Sequence, residues 1–244
     1  MDSTVIEKNG LPQSRFDDVC LVMLPGMDGT GMMFEPLLQC LPSNLNHKII
    51  PIPEVHFSSH HELAETILSD LPDDQCIILA ESFSGRTAYE LCLLAPEKII
   101  HVVFAASFLD NPNKLTALSS LLPLSLLKST LVPNWLLKSL LFGSDQAPIK
   151  LLNDSLTKVD TVLLRNRLQI IANLTKPKKR LSIGATVINA SKDHLVSSDA
   201  QNGIARVFLN TMQHEIEVGH FVLQAAPQNV AAIVTHVIEE YSIR

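Results

Sequence analysis

The sequence lacks the features that mark several large classes of protein. None of its apolar runs reaches the ~18 residues that a membrane-spanning helix needs. The leucine-rich stretch 115–142 comes closest, but two lysines (Lys128 and Lys138) and two prolines interrupt it. The N-terminal residues MDSTVIEKNG have neither a basic start nor an apolar segment, so we expect no signal peptide. With 25 acidic and 19 basic residues, the 244-residue chain carries a net charge of −6, which argues against nucleic acid as a partner.

Cysteine is also scarce, and its positions argue against disulfides and metal sites. The four cysteines include no C-x-x-C pair, and Cys20, Cys76 and Cys92 lie within apolar runs. Because free cysteines tend to be buried, we predict that these three are buried thiols of a protein in a reducing compartment, and we expect a cytoplasmic location. No group of residues has the spacing of a metal site, and we expect neither a metal nor another cofactor.

The residues that are present predict a globular α/β protein. Hydrophobic residues make up 46% of the chain and charged residues 18%, a balance that excludes disorder and provides a core. Apolar runs predict strands at 19–24, 47–52, 76–80 and 99–105, and the patterns between them predict helices at 32–41, 60–71 and 83–94. This alternation is typical of a parallel sheet with helices on both faces.

The alternation stops after the fourth predicted strand. Between about 107 and 180 the sequence shows only short, leucine-rich helical segments divided by prolines. The pattern then resumes with a strand at 184–190, a helix at 198–208, a short strand at 215–218 and a last helix at 227–241. We therefore predict one sheet domain, formed by residues 1–106 and 181–244, into which a helical cap at 107–180 is inserted.

The segment Ala80-Glu81-Ser82-Phe83-Ser84 lies between a predicted strand and a predicted helix. A strand that turns directly into a helix needs small residues two positions before and two positions after the tip, as in the nucleophile elbow G-x-S-x-G. Here Ala80 and Ser84 are the small residues and Ser82 is at the tip. The strict motif is absent, so an ordinary turn serine that caps a helix is the alternative. The strand-turn-helix context favours the elbow.

A serine nucleophile needs a general base and an acid that orients the base. Where an elbow carries the serine, the chain order is nucleophile, acid, histidine. Asp193 lies in the loop after the strand at 184–190, and His220 lies in the loop after the strand at 215–218. Open α/β sheets place their sites at these carboxyl ends of strands. Ser82, Asp193 and His220 are therefore the candidate catalytic residues.

Eight other histidines compete with His220 for the role of base. None of them combines the chain order with a loop position and a preceding glycine. We interpret His56, His60 and His61 as exposed capping or surface residues, and His101 as part of a buried strand.

The glycine-rich loop at 25–31, P-G-M-D-G-T-G, follows the first long predicted strand. An oxyanion hole needs two preorganised backbone N–H groups, one from the residue after the nucleophile and one from a loop in this position. We expect these to be the N–H groups of Phe83 and Met27. The loop matches neither G-x-G-x-x-G nor G-x-x-x-x-G-K-[ST], and Asp28 would repel an anion, which argues against a phosphate site. A plain tight turn remains an alternative.

Together these segments resemble the motifs of the α/β-hydrolase superfamily, over about residues 18–242. Within it, L-P-G-M-D-G-T-G at 24–31 and E-S-F-S-G at 81–85 are similar to a bacterial and plastid branch that includes acyltransferase-like phytyl ester synthases. Pro25 and Glu81 stand where histidines are usual, and Ala80 and Ser84 replace the elbow glycines. Because few residues precede 18, we expect the first strands of the family's eight-stranded sheet to be absent or reduced.

The resemblance implies a mechanism for acyl chemistry. Ser82 attacks an acyl carbonyl, His220 takes its proton, and Asp193 orients and stabilises the imidazolium. The N–H groups of Phe83 and Met27 hold the oxyanion, and water or an alcohol resolves the acyl-enzyme. A serine at the elbow argues against dehalogenase or epoxide hydrolase chemistry, which uses aspartate there.

The resemblance also implies that the inserted helical segment forms a cap over the site. We expect Gly26, Asp28 and Glu81 in the sheet domain, and Trp135 and Phe142 in the cap, to contact the substrate. The leucines of the cap suit an apolar pocket wall, and they equally suit packing of the cap onto the sheet domain. A lid that lies on lipid surfaces is a third interpretation.

The sequence therefore predicts a serine hydrolase that cleaves carboxylic ester or thioester bonds of a small-molecule substrate with an apolar acyl group. Two alternatives remain open. One is an acyltransferase that passes the acyl group to an alcohol. The other is a non-catalytic binding protein on the same scaffold, since a fold does not guarantee a function.

Overall fold

Six parallel strands form the sheet in the computed structural model, which describes residues 19–112 and 148–242. Its strand order is β2-β1-β3-β4-β5-β6, and every neighbouring pair is parallel. The strands are β1 (Cys20–Leu24), β2 (His47–Ile49), β3 (Cys76–Glu81), β4 (Ile99–Ala105), β5 (Leu181–Ala190) and β6 (Phe208–Ile216).

Helices cover both faces of this sheet. They are α1 (Glu35–Leu38), α2 (His60–Ile67), α3 (Ser84–Leu94), α4 (Ile149–Thr157), α5 (Thr161–Ala172), α6 (Ser198–Asn202), α7 (Val222–Ala225) and α8 (Pro227–Ser242). The side chains of Ser59, Asp160 and Ser197 cap α2, α5 and α6 by accepting hydrogen bonds from backbone N–H groups of the first turn. Among residues 19–112 and 148–242, no helix has both the length and the apolar composition to cross a membrane.

The central strands are buried on both faces because their residues are apolar throughout. Val22 and Ile78 are neighbours across β1 and β3 and belong to the core that α2 and α3 cover. Met23 and Leu79, one residue further along, belong to the opposite core, which α1 and α8 cover. The predicted parallel sheet with a helical layer on each face is thus confirmed.

The predicted boundaries fail at the edge of the sheet. The sequence predicted a helix at 198–208 and a short strand at 215–218, but α6 ends at Asn202 and β6 runs from Phe208 to Ile216. In the described part of the chain β6 pairs only with β5, and most of its side chains are exposed or half-buried. Its sequence F-L-N-T-M-Q-H-E-I contains no continuous apolar run, which is the feature by which the central strands are recognised.

The described part of the predicted cap consists of α4 and α5. Ile170 and Ile171 of α5 pack into the core beside α2 and α3, and Ile149 and Leu152 of α4 pack against Met33. These two helices contribute to the packing of the sheet domain itself. The division at 106 and 180 remains a prediction.

Three cysteines lie in the core, as predicted. Cys20 and Cys76 are neighbours across β1 and β3, and Cys92 lies on α3. All three are buried free thiols, and burial raises the pKa of Cys76 to about 12.

Phe208 and Leu209 are adjacent on β6 but differ in environment. Phe208 is fully buried and packs edge-on against Phe104 with ring centroids 5.0 Å apart, whereas Leu209 is 58% exposed. Phe208→Ala should lower the free energy of unfolding by about 3–5 kcal/mol, because it leaves a cavity. Leu209→Ala should lower it by less than about 0.5 kcal/mol. Urea denaturation measures both values, and equal losses would contradict this packing.

Candidate active site

Ser82 follows β3 directly and has a left-handed backbone conformation, with φ 46°. Its N–H still belongs to the sheet and donates to the carbonyl oxygen of Ala105 at 3.0 Å, while its own carbonyl accepts from Ser107 Oγ at 2.6 Å. A Cβ on Gly85 would lie 1.9 Å from Ser107 Oγ, so a larger residue there would have to displace this hydroxyl from its bond to the Ser82 carbonyl. The chain therefore reverses from strand to helix at one strained residue.

The small residues around Ser82 explain why the strict glycine motif is absent. Ala80 is fully buried within β3. Ser84 begins α3, and its hydroxyl donates to the carbonyl oxygen of Pro25 in the glycine-rich loop. A serine at position 84 therefore fastens that loop to the elbow, which a glycine there would not do.

Ser82, His220 and Asp193 form a continuous chain of contacts. Ser82 Oγ lies 2.8 Å from His220 Nε2, and His220 Nδ1 lies 2.8 Å from Asp193 Oδ2. With the ring proton on Nδ1, His220 donates to Asp193 and accepts from the Ser82 hydroxyl. All three residues are buried. Asp193 follows β5, and His220 lies between β6 and α7, so the carboxyl ends of β3, β5 and β6 bring the three together.

The surroundings of His220 stabilise its protonated form. Burial by itself lowers the pKa of the imidazole, but the charge and hydrogen bond of Asp193 and the charge of Glu81 outweigh burial and raise the pKa above its ordinary value. Burial raises the pKa of Asp193, yet the His220 contact and the backbone N–H groups of Val196 and Leu195 outweigh it and lower that pKa. The carboxylate thus stays ionised while the ring can accept a proton.

The glycine-rich loop is fixed by hydrogen bonds within the protein. The Gly26 N–H donates to Glu81 Oε2 at 3.3 Å, the Gly26 carbonyl accepts from the Gly29 N–H at 3.0 Å, and Asp28 Oδ2 accepts from Thr30. Within the described residues, neither the Met27 nor the Phe83 N–H has a hydrogen-bond partner.

Two buried carboxyls lie beside this loop. Burial raises the pKa of Glu81 to about 7, the charge of Asp28 adds to the rise, and Gln224 counteracts it by donating to Glu81 Oε1 at 2.8 Å. Burial also raises the pKa of Asp28, while its bonds to Thr30 and the charge of Arg167 counteract the rise. The observed partners of both carboxylates are groups of the protein itself, and the predicted substrate contacts of Gly26, Asp28 and Glu81 remain predictions.

The sequence matches no protein-family model and no curated protein. Solved structures nevertheless match almost the whole chain. A hydrolase from Oleispira antarctica matches with a TM-score of 0.72 at 14% identity, over 91% of each chain. An esterase from Exiguobacterium antarcticum matches with a TM-score of 0.69 at 13% identity, over 91% of this chain and 92% of that one. An α/β-hydrolase fold protein from Chitinophaga pinensis matches with a TM-score of 0.71 at 13% identity, over 91% and 89%.

The chain has the α/β-hydrolase fold. The likeness shows the fold alone, and the resemblance to the branch with phytyl ester synthases remains a prediction. The α/β-hydrolase fold accounts for the positions of the three candidate residues, since each follows the carboxyl end of a strand. The expectation about strands before β1 concerns residues 1–18, and Trp135 and Phe142 are likewise outside the described residues.

One histidine differs from its predicted environment. His60 was expected on the surface but is 2% exposed, at the first turn of α2 where that helix meets α3. Its Nδ1 lies 2.9 Å from Thr87 Oγ1, and its ring centroid lies 4.4 Å from that of Phe83. Burial, with a smaller effect of Arg86, lowers the pKa of His60 to about 3, so the ring is neutral. The expectation holds for His56 and His61, which are exposed.

Two buried residues of the site have no signal in the sequence. Arg167 of α5 donates from Nη1 to the carbonyl oxygens of Met27 and Asp28, each at 2.8 Å. Gln224 of α7 joins Glu81 to the Met33 carbonyl, which accepts at 3.0 Å. Both lie in helices whose local pattern gives no reason to single them out.

Replacement of Ser82 by glycine should destabilise the protein less than replacement by alanine, which is the reverse of the usual order. Both lose the hydroxyl, but glycine adopts φ 46° without the steric cost of a Cβ, so Ser82→Gly should be more stable by about 1 kcal/mol. The control pair is Ser198→Gly and Ser198→Ala at the exposed start of α6, where glycine should be the less stable. Urea denaturation measures the stability of all four variants. If the alanine variant were more stable than the glycine variant at position 82 as well as at position 198, the strained elbow would be contradicted.

The pKa of His220 should lie above the ordinary histidine value of about 6.5. Asp193→Asn removes the negative charge beside the ring and should therefore lower the pKa of His220. Titration of the ring C–H resonances by NMR, assigned with His220→Gln, measures this change. His236 on the exposed side of α8 is the control, and its resonances should be the same in both proteins. A His220 pKa unaltered by Asp193→Asn would contradict the coupling.

Proposed function

We propose that the protein is a serine hydrolase that cleaves carboxylic ester or thioester bonds through an acyl-enzyme on Ser82. The observation that carries the proposal is the pair of 2.8 Å contacts that join Ser82 to His220 and His220 to Asp193. The left-handed conformation of Ser82 supports it, because a nucleophile elbow holds its serine in this way. The esterases and hydrolases among the structural neighbours are consistent with this class of reaction.

The acylation half of the reaction uses His220 first as base and then as acid. Ser82 Oγ attacks the acyl carbon as its proton passes to His220 Nε2, and the C–O or C–S bond to the leaving group then breaks. The proton on Nε2 moves to the departing oxygen or sulfur. Asp193 holds the ring in the required orientation and stabilises its positive charge.

Deacylation repeats these steps with water. His220 takes a proton from a water molecule whose oxygen attacks the acyl carbon, and the proton then returns to Ser82 Oγ as the acid is released. In both halves a negative charge develops on the carbonyl oxygen. The N–H groups of Met27 and Phe83, which have no hydrogen-bond partner within 19–112 and 148–242, are the donors that we assign to that oxyanion.

An apolar acyl group is the substrate class that the neighbouring packing favours. Phe221 follows His220 directly and packs, half-buried, against the apolar cluster of Met33, Ile149 and Leu152. An acyl chain that contacts the half-buried ring of Phe221, next to His220, would meet hydrocarbon, and burial of each CH₂ contributes about 0.8 kcal/mol.

A fluorophosphonate should label Ser82 in the wild-type protein, as shown by mass spectrometry of the modified peptide. Ser82→Ala should abolish labelling and lower the turnover of activated esters by at least about 10³-fold. His220→Ala should prevent labelling as well, because the hydroxyl then has no base. His194→Ala is the matched control, since His194 adjoins Asp193 in the sequence but is exposed, and this variant should label at the wild-type rate.

Other outcomes would change the proposal in defined ways. A folded wild-type protein that neither labels nor turns over esters would favour the binding-protein alternative. Ester turnover retained by Ser82→Ala would exclude Ser82 as the nucleophile. If added long-chain alcohols divert the product from free acid to ester, the acyltransferase alternative is favoured.

A further inference from the structure

Arg167 is a buried cation at the glycine-rich loop. It lies on α5, is 3% exposed, and its two Nη1 hydrogen bonds reach residues 139 and 140 positions away in the sequence. A guanidinium stays charged in proteins, so burying it is costly unless its N–H groups are bonded. The backbone carbonyls of Met27 and Asp28 supply those acceptors, and Asp28 supplies a nearby negative charge.

The loop leaves a space that the guanidinium fills. Gly29 has φ 72°, and a Cβ built on it would lie 2.6 Å from Arg167 Nη1 and 2.9 Å from Ile52 Cβ. The absence of a side chain at position 29 therefore allows Arg167 to approach the two carbonyls. This close fit is a second observation, besides the hydrogen bonds, that places the guanidinium against the loop.

Different elements of the fold hold the backbone before and after the Met27 N–H. On the N-terminal side, Gly26 is held by Glu81, which accepts from its N–H at 3.3 Å, and by the turn bond from Gly29. On the C-terminal side, the Met27 carbonyl is held by Arg167 at 2.8 Å. The Met27 N–H lies between these supports and has no partner of its own in the described part of the chain.

We propose that Arg167 is a positioning residue that holds the Met27 N–H in the orientation needed to stabilise the oxyanion. This inference rests on the proposed function, in which Met27 supplies one of the two oxyanion donors. Arg167 touches neither the substrate nor Ser82 in this role and acts through the backbone of the loop.

A neighbour on the same helix provides a matched control. Asn166 is also buried and also fastens α5 to a loop, by donating to the Phe57 carbonyl at 2.7 Å and accepting from the Phe57 N–H at 3.0 Å. Within the part of the chain that the structure describes, its hydrogen bonds go to Phe57 and His56, and none goes to the glycine-rich loop. Asn166→Ala should therefore remove one attachment of α5 while the bonds from Arg167 to the glycine-rich loop stay in place.

The first test separates transition-state stabilisation from substrate binding. Arg167→Met should lower kcat for an activated ester by about 10- to 100-fold and change KM by less than about twofold. This loss of kcat is somewhat smaller than the loss expected when an oxyanion donor itself is removed. The Ki of a trifluoromethyl ketone, which forms an oxyanion on addition of Ser82, should rise by the same factor as kcat falls. Asn166→Ala should lower Tm while kcat and this Ki stay within about twofold of wild type.

A second variant addresses the case in which Arg167→Met does not fold. Arg167→Lys keeps the charge and a donor but lacks the planar pair of N–H directions, so an intermediate loss of kcat is expected. Wild-type kcat and Ki in whichever of these variants folds would overturn the proposal. So would equal kcat losses in Arg167→Met and Asn166→Ala, since the effect would then be one of stability.

Hydrogen exchange tests whether Arg167 orders the glycine-rich loop, and it does so without a measurement of enzyme activity. In Arg167→Met, the Gly26 and Gly29 N–H groups should exchange at least about tenfold faster than in wild type, whereas in Asn166→Ala they should not. If wild type hydrolyses no ester, the proposed function fails, yet this measurement still decides whether Arg167 orders the loop. Unchanged exchange in Arg167→Met would overturn the positioning role whatever the activity.

Discussion

The left-handed backbone of Ser82 is the constraint around which the rest of the site is arranged. A strand can pass into a helix without a loop only if one residue reverses the chain, and that residue then carries its side chain at the tip of the turn. The reversal is held from both sides, by the sheet bond to Ala105 and by the bond from Ser107. A Cβ on Gly85 would lie 1.9 Å from Ser107 Oγ, so a larger residue there would disturb the side chain that bonds the Ser82 carbonyl.

The second feature is the number of ionisable groups that the fold buries together. Asp193 is balanced by His220, and the charge of Asp28 is offset by Arg167 and by bonds to Thr30. Glu81 has hydrogen bonds but no salt bridge to a described residue, and burial raises its pKa to about 7. The ionised Asp193 keeps a negative charge beside the imidazole, which favours the protonated form of the ring during the reaction.

Sequence and structure agree where the information is local. The apolar runs predicted β1, β3 and β4, and the strand-turn-helix context of Ser82 with the chain order of Asp193 and His220 identified the residues that the fold brings together. The wrong predictions concern residues whose burial cannot be deduced from their neighbours along the chain. The edge strand β6 is mostly polar, and His60 reads as a capping residue although its ring turns inward to Thr87.

The sequence by itself determined the alternation of strands and helices and the candidate nucleophile, because periodicity and turn composition are properties of adjacent residues. Only the tertiary structure decided that Ser82, His220 and Asp193 lie within hydrogen-bond distance. It also decided that Arg167 supports the glycine-rich loop. An arginine on a helix has the same local pattern whether it faces water or a backbone 140 residues away, so its role depends on how the chain packs.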